Sequence, residues 1–344
     1  MPQSGKPSYR SDAGREILQA LYEQWVAHLP GAVDRIMIET RFGRTHVLAI
    51  GPPDAPPVLV HQGGNFPNPA TLHWFSPLAE RYRILAPDLP GAPGYSTPRH
   101  LDGRRGEFRG WALDVLDGLE LERVPHLGAS FGAGIIFDMA TQEPERIERM
   151  ALIAPAGVLE PALWRLITQL AVPMLRYQLR PTRDGLVAAI APLHSDPPTD
   201  LLMDTHAAVF RHLRLARRMP EPIRDHALDA CACPALVIAG EDDPLFPGRA
   251  LLARSRMLLP QAETELLAGS RHFPSAEDLQ GIARRLQAFM PSDGPDHSGI
   301  TWRRAQAPPP ADIPARLASS SGSSPASGLP HRDHSRDRTA RDRR

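Results

Sequence analysis

Only two cysteines, Cys231 and Cys233, occur in 344 residues. That excludes a disulfide framework, and a lone Cys-x-Cys without a second pair excludes a Cys-rich zinc site; both thiols read as small buried residues. Lys6 is the single lysine, so nearly all positive charge is arginine. Acidic and basic residues balance at 39 each, which gives the chain as a whole no electrostatic case for nucleic acid or an anionic membrane as a partner. Aromatics are sparse at 6%. No apolar run approaches the roughly 18–20 residues of a membrane span, and residues 1–12 lack the apolar stretch of a secretory signal. With so little cysteine, a cytoplasmic location is expected. The many histidines, among them His73, His100, His194, His206, His212 and His226, lack the local spacing of a metal site, and no metal or other cofactor is expected.

What is present is more telling. Residues 128–132 read Gly128-Ala129-Ser130-Phe131-Gly132, preceded by a strand-like run (124–127) and followed by a small, apolar, helical one (133–140). Strand, sharp turn and helix with serine at the centre is the pattern of a nucleophile elbow, in which flanking glycines make room for a strained serine. The helix start behind it favours negative charge. A serine nucleophile needs a base, and the base an orienting acid. Downstream, the apolar run 234–239 ends in Gly240-Glu241-Asp242-Asp243-Pro244, and 263–267 leads into Ala268-Gly269-Ser270-Arg271-His272-Phe273-Pro274. Serine, acid and histidine thus follow one another, each just after an expected strand. Asp242 and Asp243 are both candidates for the acid; the alternative for either is a turn or helix-capping residue. Upstream, an apolar strand (58–60) runs into His61-Gln62-Gly63-Gly64-Asn65, a glycine-rich loop able to turn an N–H toward a developing oxyanion, with the N–H of Phe131 as second donor.

These motifs, with the hairpin Thr40-Arg41-Phe42-Gly43-Arg44-Thr45-His46 and the stretch Asp88-Leu89-Pro90-Gly91-Ala92-Pro93-Gly94-Tyr95-Ser96, resemble the α/β-hydrolase superfamily in its carboxylesterase-like branch over residues 30–291. The resemblance implies Ser130 as nucleophile, His272 as general base, Asp243 as orienting acid, and Gly63 or Gly64 together with Phe131 as oxyanion donors. It departs from the family at Gln62, where glycine is usual; the side chain there either crowds the loop or adds an amide donor. His61, His126 and Asp88 are read as scaffold, His61 bonding nearby backbone.

The expected fold is α/β: a mostly parallel, doubly wound sheet, built from strands near 58, 84, 126, 151, 237 and 265 with helices near 72–81, 108–119 and 131–141, behind an entry hairpin (36–40 and 45–50). Residues 1–29 form an N-terminal helical extension, 30–155 and 231–291 the core, 156–230 a helical cap, and 292–344 a disordered tail, since few apolar residues remain there. The roughly eighty residues between 154 and 235 are far too many for a loop. Their pattern is helical at 163–178, 184–190, 200–218 and 223–230. Trp164, Leu166, Ile167, Leu170, Met174, Leu201, Met203 and Phe210 in the cap, with Phe273 beside the histidine, are the candidate substrate contacts; packing the cap onto the sheet competes for most of them. Arg211, Arg214, Arg217 and Arg218 read first as a solvated helix face.

The expected activity is cleavage of small to medium carboxylic esters, a small-molecule substrate class, through an acyl-enzyme. Serine at the elbow, rather than aspartate, argues against dehalogenase and epoxide hydrolase chemistry. Thioester, carbon–carbon bond and peracid chemistry share the same machinery, an iminopeptidase would need cap carboxylates (Glu160, Asp184, Asp196, Asp200, Asp204), and an inactive binding scaffold is the rival from another class. The oligomeric state is not encoded in any of these features.

Overall fold

The computed structural model describes residues 7–103, 106–160, 166–216 and 218–291, with the side chains of Leu166 and Leu170 set aside. Trp164, Arg217 and the expected tail 292–344 lie outside the described residues. Eight strands form one sheet in the order β1 (Val33–Thr40), β2 (Gly43–Ile50), β4 (Arg83–Pro87), β3 (Pro57–His61), β5 (Val124–Ala129), β6 (Ile147–Ile153), β7 (Ala235–Gly240), β8 (Glu263–Leu267). β2 runs antiparallel to both β1 and β4, and every pairing from β4 to β8 is parallel.

Period-two alternation explains why the central strands are apolar throughout. Leu59, Leu152 and Val237 face one layer, with Trp111, Phe137 and Leu251; Val58, Val60, Ile153 and Ile238 face the other, with Tyr22, Phe75 and Leu286. Helices α1 (Asp12–Val26), α2 (Asn68–Phe75) and α9 (Ala276–Phe289) cover the second face; α3 (Glu107–Gly118), α4 (Phe131–Ala140) and α8 (Gly248–Leu258) cover the first. The sequence reading assigned no helix at 248–258. Helix α9 begins on a capping box: Ser275 Oγ accepts from the Asp278 N–H, and the Asp278 carboxylate accepts from the Ser275 N–H.

The insertion between β6 and β7 contains a π-helical turn at Leu166–Ala171 and helices α5 (Val172–Leu179), α6 (Arg183–Ile190) and α7 (Asp200–His212). Two expectations fail here. The helix expected over 200–218 stops at His212, because the chain beyond pairs with the N-terminal segment: Leu213 bridges Tyr9 and the Arg214 N–H donates to the Ser8 carbonyl. Arg214 therefore points its guanidinium at the carbonyls of Pro7 and Tyr9, and Arg218 pairs with Asp102, so no common arginine face forms. Residues 223–230 form no helix, with turns over 225–230, because the Ile223 N–H is taken by the Gly157 carbonyl and His226 sits at φ 65°. In the N-terminal helix, Leu18 and Leu21 pack against Ala208 and Val209 of α7.

The junction of β3, β5 and α4 has no spare room. A Cβ at Gly132 would stand 2.2 Å from the His61 carbonyl oxygen and 2.6 Å from that of Gln62, and both obstacles are backbone. Gly132→Ala is expected to cost about 3 kcal/mol, whereas Gly281→Ala, with open space around it on α9, is expected to be neutral or slightly stabilising. Thermal unfolding of the two variants side by side checks this, and equal melting temperatures would contradict the close-packing account.

Candidate active site

Ser130 ends β5 in a conformation rare for a residue with a side chain, φ 49° and ψ −110°. Such backbone costs on the order of 1–3 kcal/mol and persists only where its surroundings impose it. Here the Ser130 N–H donates to the Ile153 carbonyl (2.8 Å), and the Ser130 carbonyl accepts from Ala156 (3.0 Å) and Gly134 (3.2 Å). A Cβ at Gly128 would stand 2.7 Å from the Ala133 nitrogen, so glycine is needed on that side of the serine as well as at Gly132.

The carboxyl ends of β7 and β8 deliver the partners. His272 Nε2 lies 3.0 Å from Ser130 Oγ, and His272 Nδ1 lies 2.7 Å from Asp243 Oδ2. A carboxylate only accepts, so Nδ1 carries the proton toward Asp243 and Nε2 is left to accept from the serine hydroxyl. The other oxygen of Asp243 accepts from the N–H groups of Leu245 (2.7 Å) and Phe246 (3.2 Å). Asp243 is fully buried while Asp242 is exposed and turned away. The structure thus brings together the three residues that the sequence singled out, and leaves the alternative acid aside.

The glycine-rich loop resolves the question of Gln62. Its amide donates to the Phe66 carbonyl (2.8 Å), and its Oε1 accepts from the Leu89 N–H (2.7 Å), so the side chain neither crowds the serine nor points a donor at it. It ties the loop to the turn after β4. The Gly63 N–H donates to Thr71 Oγ1 at 3.2 Å. Gly64 abuts the elbow, with its Cβ position 3.1 Å from the Phe131 ring, and its N–H makes no hydrogen bond among the described residues. Phe131 is the first residue of α4, where an N–H has no partner within the helix.

His61 and His126 lie stacked beneath this loop, ring centroids 5.3 Å apart, with Nε2 of one 3.1 Å from Nδ1 of the other. The expected backbone partner of His61 is therefore another imidazole. Asp88 accepts from Tyr22, His46, Asn68 and the Tyr95 N–H, and so fixes the 88–96 turn.

The insertion grips the histidine loop, a feature that the sequence did not reveal. Phe273 donates its N–H to the Leu193 carbonyl (2.8 Å) and accepts from the Ser195 N–H (3.0 Å). Ser195 Oγ accepts from the Arg271 N–H at 2.8 Å, and Arg271 reaches the Ala191 carbonyl at 2.6 Å. His194 stacks on Phe273 (4.4 Å, 20°) and bonds His206 (3.1 Å), whose ring packs on Phe66. The pairings with Arg271 and Phe273 join positions 76–80 residues apart, and a single bridge carries no periodic signal.

Of the expected substrate contacts, Phe273 borders the imidazole, with ring centroids 5.7 Å apart. Met174 packs with Tyr177 on Leu186, Ile190 and Met203 in the insertion's own core, and Ile167 is 46% exposed. Leu201 and Phe210 pack toward Leu18 and Val209. Cys231 and Cys233 are buried and free. Among the described residues no cluster of three or more His, Cys, Asp or Glu could hold a metal, and no helix is long and apolar enough to cross a membrane.

The sequence profile of the alpha/beta hydrolase fold matches residues 56–206. The solved naproxen esterase (carboxylesterase NP) of Bacillus subtilis is 25% identical, superposes with a TM-score of 0.69, and the match covers 81% of this chain and 98% of that one. The chain has the α/β-hydrolase fold. Carboxylesterase YbfK of Bacillus subtilis (strain 168) is 25% identical over 297 residues, covering 81% of this chain and 95% of that protein. A 2-hydroxymuconate semialdehyde hydrolase of Pseudomonas putida is 28% identical over 257 residues, covering 71% and 89%.

Burial leaves four imidazoles of this chain hard to protonate. Desolvation pushes His194 down to about 4, and His206 and His126 to about 3; His61 is held well below its usual value by burial and by its neighbour His126. Their folded values lie below the ordinary value near 6.5, so the unfolded chain binds protons first as the pH falls. The contribution is complete above about pH 6.5 and declines toward pH 4, at up to about 1.4 kcal/mol per pH unit for each histidine. Denaturant unfolding is expected to show a loss of several kcal/mol between pH 7 and pH 5. A flat profile over that interval would contradict the neutral buried state of these rings.

Proposed function

We propose that this chain is a serine hydrolase cleaving carboxylic esters of small to medium size through an acyl-enzyme. The observation that carries the reading is the unbroken relay from Ser130 Oγ through His272 to Asp243, at 3.0 and 2.7 Å. His272 Nε2 takes the hydroxyl proton as Ser130 attacks the acyl carbonyl; Asp243 holds the ring in the tautomer that permits this and stabilises its cation. The N–H groups of Phe131 and Gly64 receive the oxyanion, with Gly63 already engaged by Thr71. The imidazolium protonates the departing alkoxide, and water then repeats the sequence on the acyl-enzyme to release the acid. Residues 156–230 serve as a cap over this site, and the core spans 30–155 and 231–291. The paucity of cysteine supports action in the cytoplasm.

The carboxylesterase relatives support the choice of ester. The semialdehyde hydrolase relative favours a second reading, carbon–carbon bond hydrolysis with the same three residues. An iminopeptidase is less well supported, because Asp200 is paired with Arg183 and Asp196 accepts from the Ala276 N–H.

A panel of p-nitrophenyl esters of graded acyl length, assayed on the wild type and on Ser130→Ala, tests the proposal. Turnover of short to medium acyl chains is expected, with kcat lower in the variant by on the order of 10^4-fold or more. Undiminished turnover by Ser130→Ala, or hydrolysis of a vinylogous diketone but of no ester, would overturn it.

A further inference from the structure

Between Glu160 and Asp184 the sequence has no acidic residue but four arginines, Arg165, Arg176, Arg180 and Arg183, in a chain whose charges otherwise cancel. The described part of this stretch, the turn Leu166–Ala171 and helix α5, has a divided surface. Met174 and Tyr177, three apart, face inward onto Leu186 and Ile190. The opposite arc leaves Ile167, Val172, Leu175 and Leu179 at 46, 38, 56 and 74% exposure. Arg176 and Arg180 stand on the same exposed arc, and their guanidinium groups make no hydrogen bond or ion pair among the described residues. Scattered exposed leucines need no explanation; four apolar side chains interleaved with unpaired arginines and no carboxylate form a pattern.

The geometry points to this arc as a docking face for an anionic lipid surface, from which the hydrolase draws amphiphilic ester substrates. Charge complementarity selects the occupant. Apolar side chains enter the acyl boundary while arginines meet lipid phosphates, an attraction that acts locally within about 10 Å and does not need a net positive chain. Nucleic acid would call for exposed aromatic rings to stack on, and the one tyrosine of α5 faces inward. A second copy packing the same face against itself would oppose Arg176 and Arg180 to their own counterparts. Gln169, on the turn before α5, lines a groove of about 620 Å³ with Asp242 and Arg271, which adjoin Asp243 and His272 in sequence. The choice of substrate rests on the ester reading above; the lipid docking does not.

Flotation of the full-length protein with phosphatidylglycerol and with phosphatidylcholine vesicles tests docking, and turnover of a soluble butyrate ester serves as a separate gauge of the chemistry. Binding to phosphatidylglycerol vesicles at least tenfold stronger than to phosphatidylcholine is expected, weakening at 0.5 M salt. Leu175→Ser/Leu179→Ser and Arg176→Gln/Arg180→Gln should each lose about tenfold in vesicle binding while butyrate turnover stays within twofold of wild type. An octanoyl ester embedded in phosphatidylglycerol vesicles should be turned over at least fivefold faster by wild type than by either double variant. No flotation, equal flotation with both lipids, variants that bind like wild type, or a dimer that the leucine substitutions dissolve would overturn the docking proposal. Loss of butyrate turnover in the wild type would sink the ester reading and leave the docking result standing.

Discussion

The contact on which the whole arrangement depends is the approach of α4 to the end of β3, where Gly132 sits against the carbonyl oxygens of His61 and Gln62. It explains two things at once. The backbone of Ser130 is forced into a left-handed conformation because the chain must turn from strand to helix with no room to spread. The same closeness places the start of α4 beside Gly64 of the glycine-rich loop. The cost of the strained serine is offset by the hydrogen bonds around it, from Ile153, Ala156 and Gly134, and by apolar layers on both faces of the sheet.

The second constraint is that the base is held from two sides. Asp243 fixes the imidazole from below, itself fixed by the N–H groups of Leu245 and Phe246. From above, residues 191–196 of the insertion bond to Arg271 and Phe273 on either side of His272. The seating of the insertion and the position of the base are therefore mechanically joined. Its lower edge is apolar and aromatic, with His194, His206, Phe66 and Phe273 in mutual contact, and this is where burial keeps the histidines neutral.

Much of this was legible from local sequence. The elbow announces itself because the chemistry needs small residues at fixed offsets from the serine, and the acid and base turns follow apolar runs whose strand character is plain. What remained hidden is of two kinds. Gln62 looked like a defect in the oxyanion loop, yet its amide and carbonyl are consumed by Phe66 and Leu89, partners at four and 27 residues' distance that no motif records. The strap at 191–196 and the end of α7 at His212 are set by pairing with distant backbone, Phe273 and Tyr9 respectively, and helical periodicity runs on past such points.

The central claim is that a covalent intermediate forms on one hydroxyl, activated by one imidazole. Intact-protein mass spectrometry after reaction with a fluorophosphonate, followed by peptide mapping, addresses it directly. The account predicts a single adduct on Ser130, formed rapidly in the wild type, slowed by roughly a thousandfold or more in His272→Ala, and absent from Ser130→Ala. An adduct on any other residue, or labelling of Ser130 at an undiminished rate without the imidazole, would contradict it.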